Sequence, residues 1–220
     1  MKLETGSLLD LEHTIAAKLF EGAEYPWQIL DKLGDFILAL GPTLPEEEYE
    51  HFAGDVWIAR DAKVLNFVTI NGPCIIDHGA EVRQCAFIRG NAIVGKNAVV
   101  GNSVELKNAL LFDGVQAPHY NYVGDAILGH KAHMGAGSVT SNVKNDKTLV
   151  VVKNGDECIE TGRKKFGAIL GDFAEIGCNS VLNPGTVIGR NVSIYPLSSV
   201  RGCVPGDSIY KSANDIVPKK

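Results

Sequence analysis

The sequence predicts an all-β fold, a parallel left-handed β-helix, with an N-terminal α-helical cap and a projecting β-hairpin arm. Three observations carry this: an aliphatic residue every six positions, a second small or aliphatic residue two before each, and turn formers between. The first series is Ile58, Val64, Ile70, Ile76, Val82, Ile88, Val94, Val100, Leu106 and Phe112. The second is Val56, Ala62, Val68, Cys74, Ala80, Ala86, Ala92, Ala98, Val104 and Leu110. Asn71-Gly72, Gly79, Gly90-Asn91, Gly95, Asn97 and Gly101-Asn102 punctuate them. Each hexad is one short strand and one tight turn, residues two apart facing the same way. Three hexads close a triangular coil, and residues one coil apart stack at about 4.8 Å, the ordinary inter-strand spacing. So narrow a column admits few rings, in keeping with an aromatic content of 7%.

Taken in order, residues 1–52 form the cap. SLLDLEHTIAAKLFEG reads as a helix capped by Ser7 and stopped at Gly22, and PWQILDKLGDFILALG as one opening at Pro26 and ending at Gly41-Pro42. The cap is expected over the open end of the β-helix, where unpaired backbone and apolar column would meet water, with Trp27 and Trp57 anchoring it on the first coil. Residues 53–210 form the β-helix. The phase is disturbed at 116–127, resumes at Leu128 and Met134, and after a gap continues through Leu170, Ile176, Leu182, Ile188, Ile194 and Val200. The gap, about 141–167, holds TLVVVKNGDECIE, two strands around Asn154-Gly155, hence the arm. Residues 211–220 form a C-terminal tail.

A net charge of −5 argues against a nucleic-acid partner. Five cysteines without a C-x-x-C pair suggest neither a disulfide framework nor a zinc ribbon, and Cys74 takes a small inward position. The first residues do not read as a secretory leader and no apolar run has the length of a membrane span, so a cytoplasmic address is expected.

The broken stretch, residues 107–143, carries the motifs VELKNA, PHYNYVGD and MGAGSVTSN, and KKFGAILGD follows the insertion. Over about residues 82–205 these resemble the acetyltransferase domain of bifunctional enzymes that acetylate glucosamine-1-phosphate and then uridylylate it, and the hexapeptide part of sugar-1-phosphate nucleotidylyltransferase-like proteins. The resemblance implies an acetyl-CoA-dependent N-acetyltransferase of a hexosamine-1-phosphate, homotrimeric, with no metal. His119 matches the general base, a role for which imidazole has the right pKa range. Ala136, in the Gly135-Ala136-Gly137 turn, matches the residue whose backbone N–H faces the oxyanion. Arg89 and Lys107 match phosphate-binding positions; their spacing of eighteen independently stacks them on one face. Tyr122, Asn142 and Lys165 match substrate-binding residues, and Cys178 and Pro196 fall in the coenzyme groove, where the family has small residues.

His133 stands where those enzymes carry Asn, and Val143 replaces an aromatic-type position after Asn142. No Gly-rich nucleotide-binding loop precedes the repeats, so nucleotidyl transfer by this chain is not expected. The alternative is a non-catalytic trimeric module that binds sugar phosphate for a separate nucleotidyltransferase. A third class, β-helical zinc carbonic anhydrases, brings in His78, His119, His130 and His133, but their spacing does not match that family's ligands.

Overall fold

In the computed structural model, which describes residues 1–219, three parallel ladders of short strands form the walls of a triangular prism. The first face stacks Val56–Ala59, Cys74–Ile76, Ala92–Val94, the ends of Glu105–Leu111 and Tyr122–Leu128, then Ala168–Leu170, Thr186–Ile188 and Cys203–Val204. The second face includes Val99–Asn102, Gln116–His119, His133–Met134 and Glu175–Ile176. The third includes Phe87–Ile88, the starts of Glu105–Leu111 and Tyr122–Leu128, then Val139–Thr140 and Val181–Leu182. The inward aliphatic column is the expected one: Ile76, Val82, Ile88, Val94, Val100 and Leu106 are fully buried. Cys74 lies in it, and burial pushes its thiol pKa up to about 12.

The repeat shortens twice. Cys74 stacks on Ala92 eighteen residues on, whereas Ala92 stacks on Ala109, and Ala109 on Ala126, at seventeen. Leu111, rather than Phe112, therefore stacks on Val94. The missing residue comes each time from the corner between the third and first faces, at Asn108 and Asp125. Both have left-handed backbone, with φ of 51° and 48°, which Asn and Asp tolerate better than other side-chain-bearing residues.

The N-terminal segment differs from the expected cap in form and place. It is a chain of single turns, Thr5–Leu8, Leu11–His13, Ala17–Phe20 and Pro26–Ile29, before one helix at Leu33–Leu40. It lies along the first face instead of over the end. Leu8 O accepts from Asp172 N and His13 O from Asp113 N, while Phe20 meets Phe112 edge-on. Its target is a third periodic series: Trp57, Ile75, Ile93, Leu110, Ile127, Ile169 and Val187, the outward residues of the first-face strands, stacked in register and all buried. Covering such a stripe contributes on the order of 10 kcal/mol at about 1.5–3 kcal/mol per large aliphatic side chain. Trp57 receives the Gly41-Pro42 turn as expected, but Trp27 packs on Phe166, far along the prism from the first coil.

The prism's first end stays open. Ile58, Val68 and Ile70 are only partly buried and Val64 is 39% exposed, around a cavity of about 510 Å³. At the far end the expected tail is a hairpin, Ser208–Ser212 with Asp215–Pro218, that buries Tyr210. The arm, Val151–Asn154 paired with Glu157–Glu160, forms as expected, its turn residues being Gly155 and Asp156. It does not project freely. Val150 and Val152 are buried, and the missing Cβ of Gly185 would meet Val150, so the arm lies back on the later coils.

Candidate active site

Four of the expected site residues fall on one edge, the corner between the second and third faces. Tyr120 N donates to Asn102 O (2.9 Å), Gly137 N to His119 O (3.0 Å), Asn179 N to Ala136 O (2.8 Å) and Leu197 N to Cys178 O (2.9 Å). His119, Ala136, Cys178 and Pro196 thus climb the prism in consecutive coils. His119 is exposed, and its ring has no hydrogen-bond partner among the described residues. Ala136 N–H, between the engaged amides of Gly135 and Gly137, likewise has no protein acceptor there, nor does Cys178 N–H one coil on. The corner therefore offers one free imidazole and two free N–H donors in a line. Pro196 continues the line but has no N–H to give.

Asn121 builds this corner, and its role was not read from the sequence. Buried beneath the PHY segment, it accepts from His119 N (3.2 Å) and donates to Gly135 O (2.9 Å) and Ser138 O (3.0 Å). One amide thus fixes both the backbone that carries the imidazole and the turn that carries Ala136. Its cue was an Asn at an inward-facing position of the hexad, where an unpaired amide would be costly.

The remaining residues gather on the third face and the shortened corner. Arg89 and Lys107 lie on adjacent strands, as Arg89 N donating to Leu106 O requires, so the stacking holds. Neither is a free cation. Arg89 pairs with Glu105 (2.7 Å), and Lys107 Nζ sits 2.9 and 3.1 Å from the two oxygens of Asp125, a carboxylate only 3% exposed. Asn108 Nδ2 (2.9 Å) and Asn142 Nδ2 (2.5 Å) also donate to Asp125, and Asn142 Nδ2 reaches Tyr122 Oη (3.1 Å). Tyr122 lies over Gly124, where any Cβ would collide with its ring. Burial, then the charges of Asp125 and Glu105, push the Tyr122 pKa up. Lys165 is exposed and shares with Lys107 and Asp125 a cavity of about 410 Å³, lined also by Asp31, which pairs with Arg163. Asp125 is the centre of this cluster and was absent from the expected set.

The two groups do not meet within one chain. Lys107 stacks on Gly124, at the far end of the third face from the corner that carries His119, and no hydrogen bond or ion pair joins the two among the described residues. Other histidines are engaged elsewhere: His78 with Asp61 and Glu48, His133 with Glu175 (2.8 Å), and His130 stacked on His13. Among the described residues no three His, Cys, Asp or Glu side chains are grouped to hold a metal ion.

A family profile for the GMPPB C-terminal domain matches residues 70–159. The bifunctional protein GlmU of Methanococcus maripaludis is 31% identical over 189 residues, 77% of this chain and 46% of that protein. A bifunctional sugar-1-phosphate nucleotidylyltransferase/acetyltransferase of Sulfurisphaera tokodaii is 29% identical over 198 residues, 86% of this chain and 49% of that protein. The chain is a hexapeptide-repeat relative of these bifunctional transferases. It spans about half the length of each. A solved mutant of perosamine N-acetyltransferase from Caulobacter crescentus, bound to CoA and GDP-perosamine, is 14% identical, with a TM-score of 0.35 over 75% of this chain and 56% of that one. So distant a likeness bears on neither substrate nor mechanism.

Proposed function

We propose that this chain is an acetyl-CoA-dependent N-acetyltransferase of a hexosamine-1-phosphate, working as a homotrimer. The observation that carries the reading is the free imidazole of His119 one coil from the free N–H of Ala136, on an edge whose donors suit an extended amide-containing chain such as pantetheine. In the reaction the sugar amine attacks the thioester carbonyl carbon. His119 takes the proton the nitrogen sheds, and the Ala136 N–H donates to the oxygen as it gains charge. The carbon–sulfur bond then breaks, and coenzyme A leaves as a thiolate that takes up a proton. The separation between His119 and Lys107 is bridged by the trimer, which sets the imidazole of one copy beside Arg89, Lys107, Tyr122, Asn142 and Lys165 of the next. Cys178 and Pro196 flank the coenzyme.

The test is thiol release from acetyl-CoA with glucosamine-1-phosphate or galactosamine-1-phosphate. Loss of the base lowers turnover about 10²–10⁴-fold in His119→Ala. Activity that survives this substitution removes the mechanism.

A second reading, a non-catalytic sugar-phosphate-binding module beside a separate nucleotidyltransferase, draws on Pro196, which cannot donate, and on the internal neutralisation of Lys107 and Arg89. Binding of the sugar phosphate with no acyl transfer to any amino sugar phosphate would favour it.

A further inference from the structure

A cavity of about 590 Å³ lies away from the His119 edge, between the arm and the later coils. That is ample for a ligand of nucleotide size. Its walls carry three cations from three parts of the chain: Lys144 from the stretch leading to the arm, Lys153 from the arm strand, and Arg201 from the turn after Ser199–Val200. The only carboxylate in the wall is Asp146, and it is already satisfied. Thr148 donates to it from N (3.0 Å) and Oγ1 (2.8 Å), and Lys144 lies 3.5 Å away. Those Thr148 hydrogen bonds hold the Asp146 pKa below the usual carboxylate range. Lys153 and Arg201 have no ion-pair partner among the described residues. The arm's own acids, Asp156, Glu157 and Glu160, do not line the cavity.

The two unpaired cations are also held together. Gly202, adjacent to Arg201, has φ of 73°, and a Cβ there would stand 2.8 Å from the carbonyl oxygen of Lys153. The arm strand and the turn therefore touch backbone to backbone, and this contact brings like charges side by side in a protein whose overall charge is −5. Unpaired like charges held on touching backbones repel, and an anion between them relieves the cost.

We propose that this cavity binds a diphosphate-bearing ligand, the phosphates held by Lys153 and Arg201 and the remaining volume open to a nucleoside. The site lies off the His119 edge and does not depend on the acyl-transfer assignment, although Ser141 and Val143 in its wall flank Asn142. It gives the arm a role: a ligand there bridges arm and coils and resists their separation.

The experiment is calorimetric titration of the full chain at low salt with inorganic pyrophosphate and with uridine, guanosine and adenosine diphosphates. The same titration is run on Lys153→Gln, Arg201→Gln and the control Lys63→Gln. All three positions are exposed, so the variants fold, as unchanged melting without ligand verifies. Binding that weakens about tenfold or more in the two cavity variants, weakens with added salt, and is kept in Lys63→Gln supports the site. A nucleoside diphosphate tighter than pyrophosphate assigns the extra volume to the nucleoside; equal affinities assign recognition to the phosphates alone. Absence of binding at millimolar concentrations, or equal affinity in Lys153→Gln and Arg201→Gln, overturns it.

Discussion

Replacing Lys107 by Met keeps its aliphatic stem and removes the one cation paired with Asp125 among the described residues. The carboxylate is 3% exposed, so water cannot take the place of the ammonium, and ionised Asp125 would be left with only the amides of Asn108 and Asn142. Breaking a buried pair from one side costs about 3–5 kcal/mol. The low end applies, because Lys107 retains 27% exposure and the two amides remain. About 3 kcal/mol in a domain of this size lowers the melting temperature by about 6–12 °C. Asp125→Asn added to Lys107→Met removes the stranded charge, and Asn suits a backbone φ of 48°. The double variant is therefore expected to regain more than half of the loss. Urea unfolding of the wild type, both single variants and the double gives the coupling directly. A Lys107→Met loss below about 1 kcal/mol, or a double variant no more stable than the sum of the singles, would show that Lys107 is an exposed cation free to meet a substrate phosphate.

Two further outcomes follow from the geometry. His130 and His13 stack at 3.7 Å, and His130 Nδ1 is buried without a hydrogen-bond partner. Burial, then the charge of His13 and of Lys131, lowers the His130 pKa against a hydrogen bond to the Asp113 backbone and the charge of Asp172. A depressed histidine favours the folded form while neutral, so its contribution is complete above pH 6.5 and is lost below that value, as pH falls through the lowered folded-state pKa. Docking of the N-terminal segment, followed by Trp27 fluorescence, should weaken on that acid side, and His130→Gln should flatten the slope. Leu197 is 79% exposed with φ of 61°, so Leu197→Asn is expected to stabilise the isolated chain by about 1 kcal/mol; thermal unfolding that shows a loss instead would place Leu197 in a contact between copies.

The inward column was legible because a strand repeats every two residues and a coil every three strands. Ile76, Val82 and Ile88 could hardly be assigned otherwise. The covering of the first face was legible too, but in a series not read from the sequence. Its strands carry consecutive aliphatic residues, as in Cys74–Ile76 and Ala168–Leu170, so one of them must point outward. Ile75, Ile93, Leu110, Ile127 and Ile169 mark a wall that has to be covered, and this draws the N-terminal segment off the open end. Local propensity could not say that residues 7–22 would break into short turns, because the segment's shape follows the wall beneath it. His119, Ala136 and Cys178 were singled out by resemblance, and the line they share along the prism is one the sequence reading did not draw. Asp125 was missed because a loss of phase shows where a corner changes, without showing what the new corner holds.

The shortened corner is where sequence, packing and chemistry meet. A six-residue hexad leaves room for a small turn such as Gly90-Asn91, whose one side chain lies against Gly34 of the N-terminal helix. Removing one residue at Asn108 and again at Asp125 pulls the third and first faces together and stacks two left-handed polar residues, Asn108 Nδ2 lying 2.9 Å from Asp125 Oδ1. A carboxylate buried there must be compensated, and the chain supplies Lys107 from its own corner and Asn142 from the entry to the insertion. Asn142 in turn ties Tyr122 Oη to the cluster, so the irregular coil is locked to the start of the insertion by hydrogen bonds rather than by apolar packing. Such a network holds its geometry only while every member is satisfied. A phosphate bound at Lys107 must then compete with Asp125 for the ammonium, and affinity at this corner would be set by that competition rather than by the count of basic residues around it.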